Sequence, residues 1–236
     1  MTEEHDLDRC LSYIRCHTRA LDPHATSGCI LPPSITISRQ AGCGAMAVAS
    51  RLADYLQARE PAKCGWTVFD KSLVAKILQE HHLPEDVAKF MPEDRISAIQ
   101  DMLEELMGLH PSALTLLRET SETILHLATL GHVILVGRGA VVVTRRMKNV
   151  FHVRLVAPME QRIEKEVRQN GLTREAAIAF IQKEDAGRKR FQKEFFKTDI
   201  DDPAIYDLVV NLSRISQDHA AELIGNAVLR WSQSLR

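Results

Sequence analysis

Ser34-Ile35-Thr36-Ile37-Ser38-Arg39-Gln40-Ala41-Gly42-Cys43-Gly44-Ala45-Met46-Ala47-Val48-Ala49 decides how this chain is read. The β-branched run 34–38 predicts a short strand, which breaks at the glycine-rich segment 40–44. Beyond it Met46, Val48, Ala49, Leu52, Ala53 and Leu56 recur at helical spacing, so the stretch reads strand, glycine loop, helix. Glycines at such a turn let backbone amides approach an anion, and the helix that follows adds its N-terminal NH groups and positive dipole end. The segment holding Ser38, Arg39, Gln40, Gly42, Cys43, Gly44, Ala45 and Met46 is either a phosphate cradle or a tight turn that packs strand on helix. A loop of the pattern G-x-x-x-x-G-K-[ST] carries lysine after its last glycine and a hydroxyl close behind. Alignment on Gly44 gives Ala45, Met46 and Ala47, so the cationic side chain and the magnesium ligand are both missing.

Working outward, a second strand is expected at Trp66–Phe69, ending at Asp70, with a helix from Lys71 to about His81. Residues 85–130 read as mainly helical, interrupted at Pro92 and at His110-Pro111. Val133–Val136 is apolar on both faces, as in a strand buried within a parallel sheet, and stops at Gly137-Arg138-Gly139. Val150–Val156 predicts another strand, leading through Ala157-Pro158 to a charged helix from Met159 to about Asn170 that Gly171 closes. Thr173 is the expected N-cap of a long helix to about Phe196. A last strand at Asp207–Asn211 precedes a helix from about Gln217 to Trp231. Strands alternating with helices call for an α/β fold, a parallel sheet flanked on both faces, with its ligand site at the strand C-termini. Residues 1–20 read as a short helix followed by a Pro/Ser/Gly-rich linker, which gives an N-terminal appendage over 1–33 and a main domain over 34–236.

Composition narrows the function classes. The 236 residues suit one large α/β domain, and 30 basic against 31 acidic residues give no global field for nucleic acid or membrane. Any anion site is therefore local. No apolar run reaches the roughly 18 residues that a membrane span requires, and the start MTEEHDLDRC is acidic where a signal peptide is basic. A cytoplasmic location is expected. Cys10, Cys16, Cys29, Cys43 and Cys64 are an odd set without paired spacing and are read as free thiols. No metal ligand is assigned from any of these patterns.

Further short blocks follow the loop in order: Phe69-Asp70-Lys71, Val136-Gly137-Arg138-Gly139-Ala140, Val153-Arg154-Leu155-Val156-Ala157-Pro158, Asp185-x-x-Arg188-x-x-Phe191, and Asp202-Pro203 with Tyr206–Asn211. Together with ITISRQAGCGAMAVASRLA they resemble the cytidylate kinase-like family over roughly residues 34–216. That family's loop also lacks the Walker lysine. The resemblance implies a three-layer P-loop NTPase-like fold with helical acceptor and lid insertions. It also implies ATP as phosphoryl donor, Mg²⁺, and CMP or dCMP as acceptor.

Arg39 lies at the rim of the loop, where a guanidinium can hold phosphate oxygens bidentately or make a surface salt bridge. Resemblance to monophosphate kinases gives Arg138 the acceptor's phosphate, with a structural ion pair as the alternative. Asp70 either receives the acceptor's sugar or base or caps the helix at Lys71. Asp185 and Arg188 pair at i, i+3, on a solvated face or on a lid in which Arg188, then Arg190, covers the transferring phosphoryl group. Asn211 ends the last strand or touches a base, and Ser38 is a candidate outer contact of Mg²⁺. The leading expectation is ATP-dependent phosphotransfer to a nucleoside monophosphate. Two others stay open: a nucleotide-binding regulator without turnover, and a kinase for a non-nucleotide acceptor. The apolar stretch from Met102 to Leu130 suits either an acceptor lid or a homodimer face.

Overall fold

A computed structural model describes residues 2–20, 31–70 and 111–235. The chain runs α1 (Thr2–Ala20), β1 (Ser34–Arg39), α2 (Ala45–Arg59), β2 (Thr67–Asp70), α3 (Pro111–Leu130), β3 (Val133–Val136), α4 (Ala140–Val143) and β4 (Val150–Val156). It continues with α5 (Met159–Asn170), α6 (Arg174–Phe196), a 3₁₀ turn (Pro203–Ile205), β5 (Leu208–Asn211) and α7 (Gln217–Gln233). The expected helix over 71–81, the helical reading of 85–110 and the Met102 end of the apolar stretch lie outside the described residues.

The five strands are parallel in the order β2-β3-β1-β4-β5. The sheet is parallel and flanked by helices on both faces, as the alternation of strands and helices required, and this is the three-layer P-loop arrangement that the resemblance implied. One sheet face presents Ile35, Ile37, Ile134, Val136, Val153 and Leu155 to Val48, Leu52 and Leu56 of α2 and to Ile224 and Val228 of α7. The other presents Phe69, Val133, Leu135 and Val150 to α1 and α3. Because successive side chains alternate, β3 serves both layers, which is why all four of its residues are apolar and buried. Each fully buried isoleucine or leucine contributes about 1.5–3 kcal/mol of transfer free energy, so the two layers together hold the sheet flat against its helices.

The predicted caps form. Thr173 Oγ1 accepts from the Ala176 amide at 3.2 Å, and Gly171 takes a left-handed conformation (φ 64°) at the end of α5. Helix α4 was not expected: Ala-Val-Val-Val reads as strand, but Val142 and Val143 donate to the Gly139 carbonyl, both at 2.9 Å, and turn the chain. Among the described residues no helix is long and apolar enough to cross a membrane.

The free-thiol expectation fails for two of the cysteines. Cys16 of α1 and Cys64, just before β2, form a disulfide with Cα atoms 5.7 Å apart across a sequence separation of 48. Such a pair has no local spacing to announce it. Packing of Cys10 and Tyr13 of α1 against Phe69 brings the two sulfurs together, with the Tyr13 and Phe69 rings edge-on at 5.6 Å. Cys10 and Cys43 are buried and lie outside that disulfide.

Candidate active site

Strand register assembles the site. Ile37 pairs with both Val136 and Val153, and Val136 pairs with Asp70. Arg39, still paired with Leu155 at the end of β1, and Arg138, just past β3, therefore lie at one level, two residues beyond the end of β2. The glycine loop begins there. Gly42 and Gly44 sit at φ 75° and 87°, a conformation that costs a residue with a side chain. Space requires glycine too: a Cβ at Gly42 would lie 3.1 Å from the Arg162 carbonyl oxygen, and one at Gly44 would overlap the Lys165 ammonium. Gly44 caps α2 without any side-chain hydrogen bond, so the first amides of that helix face the loop without a capping oxygen.

The flanking residues fix the loop from behind. Gln40 Oε1 accepts from the Ala157 amide at 3.0 Å. Ala41 packs with Ile163 of α5 and with Ala177 and Ile181 of α6. Cys43 and Ala45 are buried, and Met46 is exposed. Burial pushes the Cys43 thiol up, so this cysteine stays protonated. The Ser38 hydroxyl faces away from the loop and accepts from Arg154 Nη1 at 2.8 Å and from the Tyr206 hydroxyl at 3.2 Å.

Three arginines converge beside this loop. Burial pushes the Arg39 guanidinium down to about 10; the fields of Arg188 and Arg138 act in the same direction, against those of Cys43 and Asp70. Among the described residues no carboxylate reaches ion-pair distance of Arg39. A half-buried cation away from any matched anion bears part of its desolvation unrelieved, and an incoming anion offsets that. Arg188 contacts Glu184 at 3.2 Å and Asp185 at 3.4 Å, its Nε has no partner among the described residues, and burial lowers its pKa as well. Arg138 reaches Glu184 at 3.3 Å.

Asp185 ties α6 to the loop. Its Oδ1 accepts from the Ala41 amide at 2.7 Å and its Oδ2 from Arg162 Nη1 at 2.6 Å. Arg162 also donates to the Ala41 carbonyl at 3.1 Å and to the Ala157 carbonyl at 3.0 Å. A cavity of about 170 Å³ lies against these groups, lined by Arg39, Gln40, Arg154, Asp185, Arg188 and Asp201 among others. Arg154 is itself buried and bonded to Asp201 Oδ1 at 2.9 Å.

The structure thus brings together Arg39, Arg138, Arg188, Asp185 and the loop 40–46, with Asp70 at the adjoining strand end. It does not bring Arg190 to them. Arg190 is exposed, two residues and about 200° around α6 from Arg188. Asn211 closes its own turn by accepting from the Ser213 amide at 3.0 Å. Arg154, Arg162 and Lys165 were missed as site residues. Arg154 carried a signal, a charge within an otherwise apolar strand; Arg162 and Lys165 belong to a helix charged along much of its length, where sequence does not say which charges face the loop.

Comparisons with known proteins follow the same lines. A sequence profile described as the Cytidylate kinase-like family matches residues 34–214. A cytidylate kinase from Methanocaldococcus jannaschii is 27% identical over 104 residues, 43% of this chain and 58% of that protein's length. The crystal structure of an uncharacterized protein from Eubacterium ventriosum superposes with a TM-score of 0.64 at 16% identity, covering 84% of this chain and 98% of that one. A shikimate kinase from Bacteroides thetaiotaomicron has a TM-score of 0.45 at 12% identity, covering 84% and 98%. With a profile match over most of its length, the chain belongs to the cytidylate kinase-like family.

Proposed function

We propose that the protein transfers the γ-phosphoryl group of ATP to a nucleoside monophosphate, with CMP or dCMP as acceptor. The observation that carries this reading is the Arg39 guanidinium, half-buried beside the loop 42–44, out of ion-pair reach of any carboxylate among the described residues and within the fields of Arg138 and Arg188. Phosphoryl transfer asks a protein mainly to position two phosphate groups and to neutralise the charge that passes between them. The loop amides and the α2 N-terminus hold the donor's phosphates. Arg39 supplies a cation at the loop rim, Arg138 orients the acceptor's phosphate, and Arg188 on α6 covers the transferring group while excluding water. Asp70 and Asp185 border the acceptor's sugar and base.

The residues present fit a triphosphate better than a protein-held metal. Among the described residues no group of three His, Cys, Asp or Glu side chains is placed to hold an ion, and Met46 stands where a magnesium-binding hydroxyl follows the lysine of such a loop. Mg²⁺ would enter bound to the donor's phosphates, keep most of its waters, and supply charge neutralisation between them. The protein works in the cytoplasm on this reading.

Titration calorimetry with ATP·Mg²⁺ and with CMP, followed by detection of ADP and CDP in the same samples, tests the proposal. Binding of both with product formation is the expected result. No ATP binding sinks it. A second reading, a nucleotide-binding regulator without turnover, draws on Asp185, whose carboxylate already holds the Ala41 amide, Arg162 and Arg188. ATP binding without product from any acceptor in a panel of nucleoside monophosphates and small alcohols favours that reading.

A further inference from the structure

The loop has lost its lysine at position 45, yet a lysine stands against the loop. Lys165 lies in α5, one turn beyond Arg162, whose backbone carbonyl packs on Gly42. Its ammonium occupies the space that a side chain at Gly44 would fill, and Gln217 Nε2, at the start of α7, approaches the same point to 2.6 Å. Gly44 is thus glycine for two reasons: its left-handed backbone, and the room that the Lys165 head group needs.

Lys165 differs from its charged neighbours Glu160, Arg162 and Glu166 on α5, and from Glu164 and Arg168, which are exposed, in being half-buried without a carboxylate partner among the described residues. Arg162 is fixed by Asp185 and two carbonyls, Glu160 pairs with Arg174, and Glu166 accepts from Asn170. Among the described residues no carboxylate reaches ion-pair distance of Lys165. Burial lowers its pKa, with the fields of Cys43 and Glu166 opposing that shift. A half-buried ammonium held against loop backbone without a partner is poised for an oxygen anion, and a lysine contacts phosphate as a compact point charge that need not come from a fixed place in the loop.

We propose that Lys165 supplies from α5 the donor-phosphate cation that the loop lacks at Ala45, with Gln217 as a neutral donor beside it. This inference rests on the reading of the loop as a nucleoside triphosphate site. It makes Lys165 a donor-binding residue delivered by the helix that also carries Arg162, so loop and cation are positioned by the same packing contact.

The test compares ATP·Mg²⁺, ADP and adenosine as probes, by calorimetry, on the wild-type full chain and on the Lys165→Met, Lys165→Gln and Lys165→Arg variants. Lys165→Met and Lys165→Gln are expected to weaken ATP binding roughly 10- to 100-fold, the loss of one hydrogen-bonded charge. Adenosine affinity stays as in the wild type, and Lys165→Arg recovers most of the ATP affinity. A merely structural lysine would weaken all three probes alike and would lower the melting temperature. If the wild type binds ATP and both neutral variants bind it equally well, the Lys165 assignment is overturned while the site stands. If the wild type binds no ATP, the triphosphate reading itself falls, and this inference falls with it.

Discussion

The two ends of the sheet are finished in different ways. At the N-terminal edge the polar groups are neutral and bonded to backbone: Tyr13 donates to the Gly131 carbonyl, Ser34 to the Ala128 carbonyl at 3.0 Å, and Asn149 to the Pro32 and Ala128 carbonyls, each at 2.8 Å. The Cys16–Cys64 disulfide closes the same side. At the C-terminal edge Arg39, Arg138, Arg154, Arg162 and Arg188 gather around Glu184, Asp185 and Asp201, and Arg39, half-buried beside the loop, meets no carboxylate at ion-pair distance among the described residues. At the first edge the bonds named are closed within the protein. The other holds at Arg39 a half-buried cation that an incoming anion would balance, and perturbed charges of this kind gather where proteins bind.

Substitutions at the two edges should then separate activity from stability. The largest effect is expected from Arg39→Ala, which lowers kcat/KM for phosphoryl transfer by about 10²–10³. Its melting temperature should hold, because Arg39 is half-buried and makes no ion pair among the described residues. A melting temperature that drops with activity unchanged would place Arg39 in the structural class.

Cys16→Ser should cost about 2–4 kcal/mol in denaturant unfolding under oxidising conditions, through the freed loop entropy of the unfolded chain, and leave ATP affinity as it was. A change in ATP affinity would mean that the two edges are coupled.

Acid should act on the N-terminal side as well. Burial, with the nearby His17 charge, pushes His126 of α3 down to about 4. The unfolded chain takes up this proton near the ordinary histidine value of 6.5 and the folded chain only near 4, so unfolded molecules bind more protons in between. Stability is full above pH 6.5 and falls as pH drops towards 4, by on the order of 2 kcal/mol. His126→Phe should flatten that profile. The smallest effect is expected from Tyr13→Phe, which removes one buried hydrogen bond and about 1 kcal/mol with no change in catalysis.

Much of this division is legible in the sequence, for physical reasons that apply unevenly. Strand β3 announces its burial because all four residues are apolar, and Thr173 and Gly171 announce helix ends because capping is local chemistry. The loop 40–44 and Arg39 follow from the break between a β-branched run and a helical period. Contacts made across the fold leave no such trace. The disulfide joins residues 48 apart, and helix α4 runs against the preference of its three valines because the Gly139 turn and packing of Ala140 and Val141 decide it. Lys165 and Arg190 are both cations on charged helices, and only the packing of α5 on the loop and the outward face of α6 set one against Gly44 and the other in solvent.

The central claim is that a glycine loop without its own lysine supports phosphoryl transfer through arginines gathered at the sheet's C-terminal edge. A single-turnover assay with γ-labelled ATP·Mg²⁺, CMP and an excess of the wild-type protein tests it most directly. The account predicts that the label moves to CDP and that Arg39→Ala blocks the transfer. Bound ATP that keeps its label through every acceptor offered would contradict it.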